Sequence, residues 1–338
     1  MKLNIIQVGL GAHGQGVGEH FVMPSPDFIY SGLVDINPNA LAVYANKNNL
    51  PQSICFTDHE QAFRETESDA VFISAFSPVH YEIAKSALKH GLHVLIEKPF
   101  VLTVAEADEL NSLAALHGCN IMINQNYRYF TSVLTLKQAL QDSRLGKMLF
   151  VQSSFFYDHD GKPYQKQMDN YTLLEMSVHH VDMIRFLVDS DIAEVSGKTW
   201  NHTGSGYAGD PHVHAVYTTE SGVSAFYLSS LLAGGVSMPW EGVWRFQFEG
   251  GSVHLDDLGD GFGVYIADGT TKTKAPMITN ERESIHGVLH EFASSIREKR
   301  DPSISGKDNV RTLSALLATA ESSRQGRTIH LSSTRTNQ

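Results

Sequence analysis

The sequence predicts an α/β protein: a doubly wound parallel sheet at the N-terminus, then an α+β part built on an open, mostly antiparallel sheet. Three observations predict it. The apolar segment Ile5-Ile6-Gln7-Val8 runs straight into the glycine turn Gly9-Leu10-Gly11-Ala12-His13-Gly14. Short apolar strands then alternate with helical periodicity as far as Ile123, the pattern of parallel strands covered by helices on both faces. From Ala193 to Ile266 strand signals follow one another with glycine-rich breaks and no helix between them, which implies antiparallel pairing.

The elements follow in order. A second apolar strand, Phe28 to Val34, ends at Asp35. Asn37-Pro38 reads as the N-cap and first residue of a helix to about Asn48. Ala70 to Ala75 is a short strand. Val79 to His90 has helical spacing through Ile83, Ala84, Ala87 and Leu88, and stops at Gly91. His93 to Ile96 is the next strand. Thr103 and Glu106 have capping-box spacing ahead of a helix to about His117, and Asn120 to Ile123 closes the series. The pattern changes near Asn124 to Arg128, so the sequence divides into domains at 1–125 and 126–338. Tyr129 to Asp142 reads as a linking helix, Met148 to Tyr157 as a strand and Leu173 to Val188 as a helix. The strands of the second sheet are Ala193–His202, His212–Thr219, Val223–Leu232, Glu241–Phe248, Ser252–Asp256 and Gly263–Ile266. Helices at Glu283–Lys299 and Lys307–Gln325 follow, and the tail from Ser332 to Gln338 is polar and frayed.

The glycine turn carries the first chemistry. Gly9 permits the tight turn, Gly11 lets backbone approach a pyrophosphate, and Gly14 lets the following helix pack close. Asp35 lies where a ribose-binding acid belongs in a Rossmann dinucleotide domain. Its carboxylate accepts from both ribose hydroxyls of NAD and repels a 2′-phosphate, and no Lys or Arg stands between Ile36 and Ala45 to offset that. NAD is therefore expected over NADP.

Composition limits the remaining classes. The 338 residues are 42% hydrophobic and 19% charged, with net charge −11, which suits a folded protein of two domains. There is no basic cluster and no aromatic–basic interleaving, which argues against nucleic acid and anionic membranes as partners. No apolar run has membrane-spanning length, and the apolar N-terminus is committed to the first strand rather than to a leader. Cys55 and Cys119 read as buried, reduced thiols of a cytoplasmic protein.

Two further clusters bear on function. Glu97-Lys98-Pro99 follows the strand His93 to Ile96, at the carboxyl edge where open parallel sheets bind ligands; Lys98 can reach a cofactor crevice, or stand as a solvated surface lysine. In Glu175-Met176-Ser177-Val178-His179-His180-Val181-Asp182, helical spacing puts Glu175, His179 and Asp182 on one face. A carboxylate beside an imidazole suits acid–base work near neutral pH; the alternative is a salt-bridged helix surface. Arg128 at the domain junction enters the pocket or serves as a structural ion-pair partner. His159, Tyr164 and His202 are candidates for the substrate side. His212 and His214 share a strand face, but no convincing set of further ligands accompanies them, so no metal is assigned. Trp240 and Trp244 are read as core or interface residues.

Together these clusters resemble the glucose–fructose oxidoreductase and inositol dehydrogenase family (Gfo/Idh/MocA) over nearly the whole chain. The resemblance rests on the glycine turn, the phrase Ala87 to Pro99 ending in Glu-Lys-Pro, Asn126-Tyr127-Arg128, Leu145-Gly146-Lys147 and the histidine helix, in the family's order. It implies an NAD-binding domain, then a sheet that covers the active site and joins subunits in a homodimer or homotetramer. It implies Lys98 as the active-site lysine on the reacting oxygen and His179 as the acid/base, with Glu175 replacing a usual aspartate and Ser177 a frequent glycine. The cofactor residues it implies are Gly9, Leu10, Gly11, His13, Gly14, Asp35, Ile36, Ser74, Ser77, His80, Glu97 and Lys98. The substrate residues are Lys98, Asn126, Arg128, Glu175 and His179. The implied activity is hydride transfer between a secondary alcohol of a sugar, cyclitol or polyol and nicotinamide. Relatives acting as NAD-dependent glycosidases, or a non-catalytic dinucleotide sensor, are the alternatives. The chemistry requires the Lys98 ammonium and the His179 imidazole to serve the same face of one nicotinamide ring.

Overall fold

The computed structural model describes residues 1–331, the Ser143 side chain apart. The tail Ser332 to Gln338 lies outside the described residues. The chain packs as two units, Met1–Tyr129 with Arg282–Leu313, and Phe130–Glu281 with Ser314–Gln338.

The first unit alternates strand and helix: β1 (Leu3–Val8), α1 (Ala12–Val17), β2 (Phe28–Val34), α2 (Pro38–Lys47), β3 (Cys55–Phe56), α3 (His59–Glu65), β4 (Ala70–Ile73), α4 (His80–Lys89), β5 (His93–Ile96), α5 (Val104–His117) and β6 (Ile121–Ile123). All six strands are parallel, in the order β3-β2-β1-β4-β5-β6. The order reverses between β1 and β4, and that switch point is where such sheets bind ligands. The local signals act as expected. The Asn37 side chain accepts from the amides of Asn39 and Ala40, and Thr103 and Glu106 complete both bonds of a capping box. The two-residue strand β3 and the seven-residue helix α3 escaped the sequence pattern because neither is long enough to show a period.

Residues 282–313 return to this unit, so its packing limits differ from a single cut at 125/126. Asp27 anchors the return. Its carboxylate accepts from Arg297 at 2.7 Å and from His290 at 3.1 Å. Phe28 stacks on Phe292 with centroids 6.1 Å apart. The Ile123 amide donates to the Ile304 carbonyl at 3.0 Å.

The second unit holds α6 (Thr131–Ala139), β7 (Met148–Phe156), α7 (Val178–Val188), β8 (Ile192–Trp200), β9 (His212–Thr219), β10 (Ser224–Ser230), β11 (Val243–Phe248), β12 (Gly251–Asp257), β13 (Phe262–Asp268) and β14 (Thr271–Lys274). Beyond it α8 (Ile285–Glu298) belongs to the first unit, α9 (Gly306–Gln325) runs from one unit into the other, and β15 (Ile329–His330) ends the second sheet. That sheet has nine strands in the order β14-β13-β12-β11-β7-β10-β9-β8-β15. It is antiparallel throughout except for the parallel pair β7–β10. One face is core: Val151 and Phe155, Ala225 and Tyr227, Trp244 and Phe246 are all buried. The opposite face carries exposed Phe150, Phe226 and Leu228 beside Gln152 and Arg245.

Candidate functional site

In the first unit the glycine turn sits at the switch point and is braced from within. Gly9 has φ +99°, and a Cβ there would stand 2.6 Å from the Ala75 amide nitrogen, so the position requires glycine. A Cβ on Gly14 would meet the Gly9 carbonyl oxygen at 2.2 Å. At Gly11 a Cβ would touch nothing within 4 Å. No packing demands glycine there, and the space above Gly11 is open. Helical backbone follows without a break, α1 passing into a π-turn at Gly18–Val22.

The brace is Gln7, fully buried in β1. Its amide nitrogen donates to the Gly14 carbonyl at 2.8 Å and to Ser74 Oγ at 3.1 Å, and its Oε1 accepts from the Tyr30 hydroxyl. The sequence reading passed over Gln7, although a lone amide in the central parallel strand is the signal that marks it. Ser74 Oγ donates to the Gly9 carbonyl at 2.7 Å, so Ser74 shapes the turn.

Asp35 lies past the carboxyl end of β2. Its Oδ2 accepts the Leu10 amide at 2.7 Å and its Oδ1 the Asn37 amide at 2.9 Å. Two backbone donors thus fix the carboxylate, and each oxygen keeps acceptor capacity for a ribose diol. The neighbouring Ile36 side chain is exposed.

Past β5, Glu97 is 6% exposed. Its Oε1 accepts from Asn124 Nδ2 at 2.7 Å and from His13 Nε2 at 2.9 Å. Since a carboxylate oxygen only accepts, the His13 proton is on Nε2. Burial alone would raise the Glu97 carboxyl; the bond and charge of His13, the Asn124 bond and the Lys98 charge outweigh it and hold the group below its ordinary range. His13 of the glycine turn and Glu97 of the Glu-Lys-Pro phrase are therefore one pair, which the sequence reading named separately. Lys98 is half-buried at the same carboxyl edge. Ser77 opens a single 3₁₀ turn after β4.

Three assigned residues have structural work. His80 is 1% exposed, with Nδ1 facing the Pro99 carbonyl at 3.0 Å and Nε2 facing the Ala75 carbonyl at 3.0 Å. Burial lowers its pKa, against the raising effect of those carbonyls. It ties the β4 loop to the segment after Pro99. Asn126 Nδ2 donates to Ser284 Oγ at 2.9 Å, and Arg128 pairs with Asp308 at 2.9 Å. Both bonds hold the returning segment 282–313.

In the second unit, the expected single helix from Leu173 begins as a π-turn, Leu173–Ser177, before α7. The wider turn replaces the α-helical i, i+4 relation assumed for Glu175 and His179; single π-turns often mark functional sites. His179 is 5% exposed, and Glu175 is half-buried. Tyr164 and Tyr171 lie within the field of Glu175: burial first, and then its charge among others, raises both hydroxyl pKa values. Tyr164 is 44% exposed. His159 Nδ1 bonds the Tyr171 hydroxyl. Asp182 is buried, with Arg185 Nη1 at 3.9 Å from its Oδ1. His202 and His212 meet at 2.9 Å, His212 also bonding Ser230 Oγ. Among the described residues no three His, Cys, Asp or Glu side chains group as metal ligands. Trp244 is core at 2% exposure, whereas Trp240 is 43% exposed and stacks on Tyr157 at 4.6 Å. A hollow of about 410 Å³ lined by His93, Cys119, Arg300 and Lys307 opens at the amino ends of β5 and β6. That is the opposite sheet edge from the glycine turn, so it is not the nucleotide crevice.

Residues 3–125 match the model of an oxidoreductase family described as an NAD-binding Rossmann fold, and residues 133–256 match the GFO/IDH/MocA C-terminal domain. The chain is 26% identical over 278 residues to D-apiose dehydrogenase of Paraburkholderia graminis, covering 78% of this chain and 73% of that protein. It is 26% identical over 160 residues to 1,5-anhydro-D-fructose reductase of Ensifer adhaerens, covering 45% and 47%. Its fold matches an Agrobacterium radiobacter oxidoreductase solved with NAD+, L-tartaric acid and magnesium (TM-score 0.88, 18% identity, 98% of each chain). It also matches myo-inositol 2-dehydrogenase of Lactobacillus plantarum (TM-score 0.82, 19% identity, 98% and 100%). No helix among the described residues is long and apolar enough to cross a membrane.

Proposed function

The chain belongs to the GFO/IDH/MocA oxidoreductase family, and from that premise we propose that it moves a hydride between a secondary alcohol of a sugar, cyclitol or related polyol and NAD. The observation that carries the reading is the crevice of the first unit: a glycine turn with open space above Gly11, an oriented Asp35 carboxylate and Lys98 on one carboxyl edge. These residues fit a dinucleotide. The backbone at Leu10 to Gly14 would hold the pyrophosphate, and Asp35 the adenosine ribose. The Asp35 charge favours NAD over NADP.

When bound, the nicotinamide supplies the hydride acceptor. His179 takes the substrate hydroxyl proton as the carbon loses its hydride, and returns it in the reverse direction. Lys98 donates to the oxygen and stabilises its developing negative charge. Glu175, oriented by the π-turn, accepts from a neighbouring substrate hydroxyl, with the exposed Tyr164 beside it. The sugar-related activities of the relatives named above support this substrate class. The open face of the second sheet, with Phe150 and Phe226 in edge contact at 6.2 Å, is the surface through which copies would associate.

The test begins with a panel of sugars, inositols and sugar acids with NAD, read as NADH formation. On the substrate it returns, Lys98→Ala and His179→Ala should each lower kcat by about 10²–10⁴-fold and leave NADH binding within a few-fold of wild type. Wild-type turnover in both variants would remove the assignment.

A further inference from the structure

The assigned base is followed by a second histidine with a different environment. His180 is fully buried. Its Nε2 lies 3.0 Å from the Trp240 carbonyl oxygen and its Nδ1 lies 2.8 Å from the Tyr227 hydroxyl. Tyr227 in turn stands 3.1 Å from Ser177 Oγ. Ser177 and Tyr227 are themselves buried, at 0% and 3% exposure. Burial pushes the His180 imidazole down to about 4, against the raising effect of the Trp240 carbonyl, so it is neutral over the working range.

The proton positions follow from donor and acceptor rules. A carbonyl only accepts, so the His180 proton is on Nε2. The neutral Nδ1 then has a lone pair and takes the Tyr227 proton. The Tyr227 hydroxyl also faces Ser177 Oγ, 3.1 Å away. The result is one hydrogen-bonded chain through Ser177, Tyr227, His180 and the Trp240 carbonyl. It joins three places: the last residue of the π-turn, the middle of β10, and the loop before β11. The loop end is fitted to it. Gly242 has φ +75°, and a Cβ there would approach the Ser154 carbonyl oxygen to 2.8 Å and His180 Nε2 to 3.6 Å.

A π-turn is a rare way to begin a helix, and this one carries Glu175 while His179 follows two residues after Ser177. We infer that Ser177, Tyr227 and His180 are positioning residues, whose hydrogen-bonded chain clamps the π-turn to β10 and so sets the orientation and burial of His179. The inference rests on the reading of His179 as the acid/base. His179 is enclosed, and a group's titration reports its desolvation and partners. A chain that only added stability would lower the melting temperature and leave the His179 titration unchanged in protein that is still folded.

The experiment uses the full chain labelled with ¹⁵N-histidine, as wild type, Tyr227→Phe, Ser177→Ala and Ser177→Thr, with His179→Gln to assign the His179 signals. Imidazole nitrogens are followed by NMR from pH 5 to 9 at 25 °C. In the wild type His180 should be the non-titrating Nε2–H tautomer. Tyr227→Phe and Ser177→Ala should move the His179 midpoint by about half a unit or more, and Ser177→Thr, which keeps the hydroxyl, should restore it. On the substrate found in the panel, the first two variants should lose about 10-fold in kcat with KM and NADH affinity within two-fold. An unchanged His179 titration, or an unchanged kcat on that substrate, overturns the inference whatever happens to the melting temperature. Wild-type turnover in His179→Gln overturns the base assignment instead, and the titration then decides the clamp by itself.

Discussion

Gly11 and Gly14 are separated by three positions in one turn, yet the same added methyl should act on different quantities. At Gly14 a Cβ would lie 2.2 Å from the Gly9 carbonyl oxygen and 2.8 Å from Ser74 Oγ. Neither neighbour can retreat, because the Gly9 carbonyl receives the Ser74 hydroxyl and Gln7 holds the Gly14 carbonyl. Gly14→Ala should therefore cost stability by about 1–3 kcal/mol, as overpacking does. At Gly11 the backbone has φ −65° and ψ 176°, a conformation any residue adopts, and the Cβ meets nothing within 4 Å. Gly11→Ala should leave stability within about 1 kcal/mol of wild type, since a compatible alanine also restricts the unfolded chain. The methyl would occupy the space above the turn. If it displaces one charge-assisted amide–phosphate bond, worth about 1.5–3 kcal/mol, the Kd for NADH should rise about ten- to a hundred-fold. Urea unfolding and NADH fluorescence titration of both variants separate the effects. An NADH affinity for Gly11→Ala within two-fold of wild type would show that no pyrophosphate lies over this turn.

Asp35→Ala should weaken NAD and narrow the ratio of kcat/KM for NAD over NADP, because the charge that repels a 2′-phosphate is gone; an unchanged ratio would move cofactor selection elsewhere. The Glu97 carboxyl is held below its unfolded value of 4.5, so it binds fewer protons folded than unfolded. Its contribution to stability is present above that value and is lost as pH falls through the lower, folded one. The stability gap between wild type and Glu97→Gln should then narrow as pH falls below about 4.5, and a gap that does not change on acidification in urea unfolding would reject the pairing with His13. Phe226→Asp with Leu228→Asp should reduce a wild-type dimer or tetramer to monomer in light scattering; a wild type already at 37.3 kDa would refute association through this face.

Local chemistry made much of the first unit legible. Asn37, Thr103 with Glu106, and the glycine turn each act within a few residues of themselves, so their roles could be read before any neighbour was known. The parallel sheet followed from strand and helix alternation for the same reason. The pairs that complete the crevice were not legible. His13 and Glu97 are 84 positions apart, and nothing in either local phrase announces the other. The return of 282–313 was equally silent, since it depends on Asp27 meeting Arg297 and His290 across 270 and 263 positions. Periodicity placed α8 correctly but carries no information about which unit it packs against.

The histidine helix shows where pattern reasoning fails for a physical cause. Counting by 3.6 residues per turn assumes α geometry, and the π-turn at Leu173–Ser177 breaks that count just before His179. Nothing in Leu173-Leu174-Glu175-Met176-Ser177 opposes an ordinary helix, so the wider turn is imposed by what surrounds it. The resemblance marks Ser177 as standing where a glycine is frequent. In the fold its hydroxyl is one end of a buried hydrogen-bonded chain that reaches the Trp240 carbonyl. A buried hydroxyl without that chain would cost about 1–3 kcal/mol. The partner of this hydroxyl is Tyr227, on a strand 50 positions away, and a sequence read one element at a time does not contain that fact.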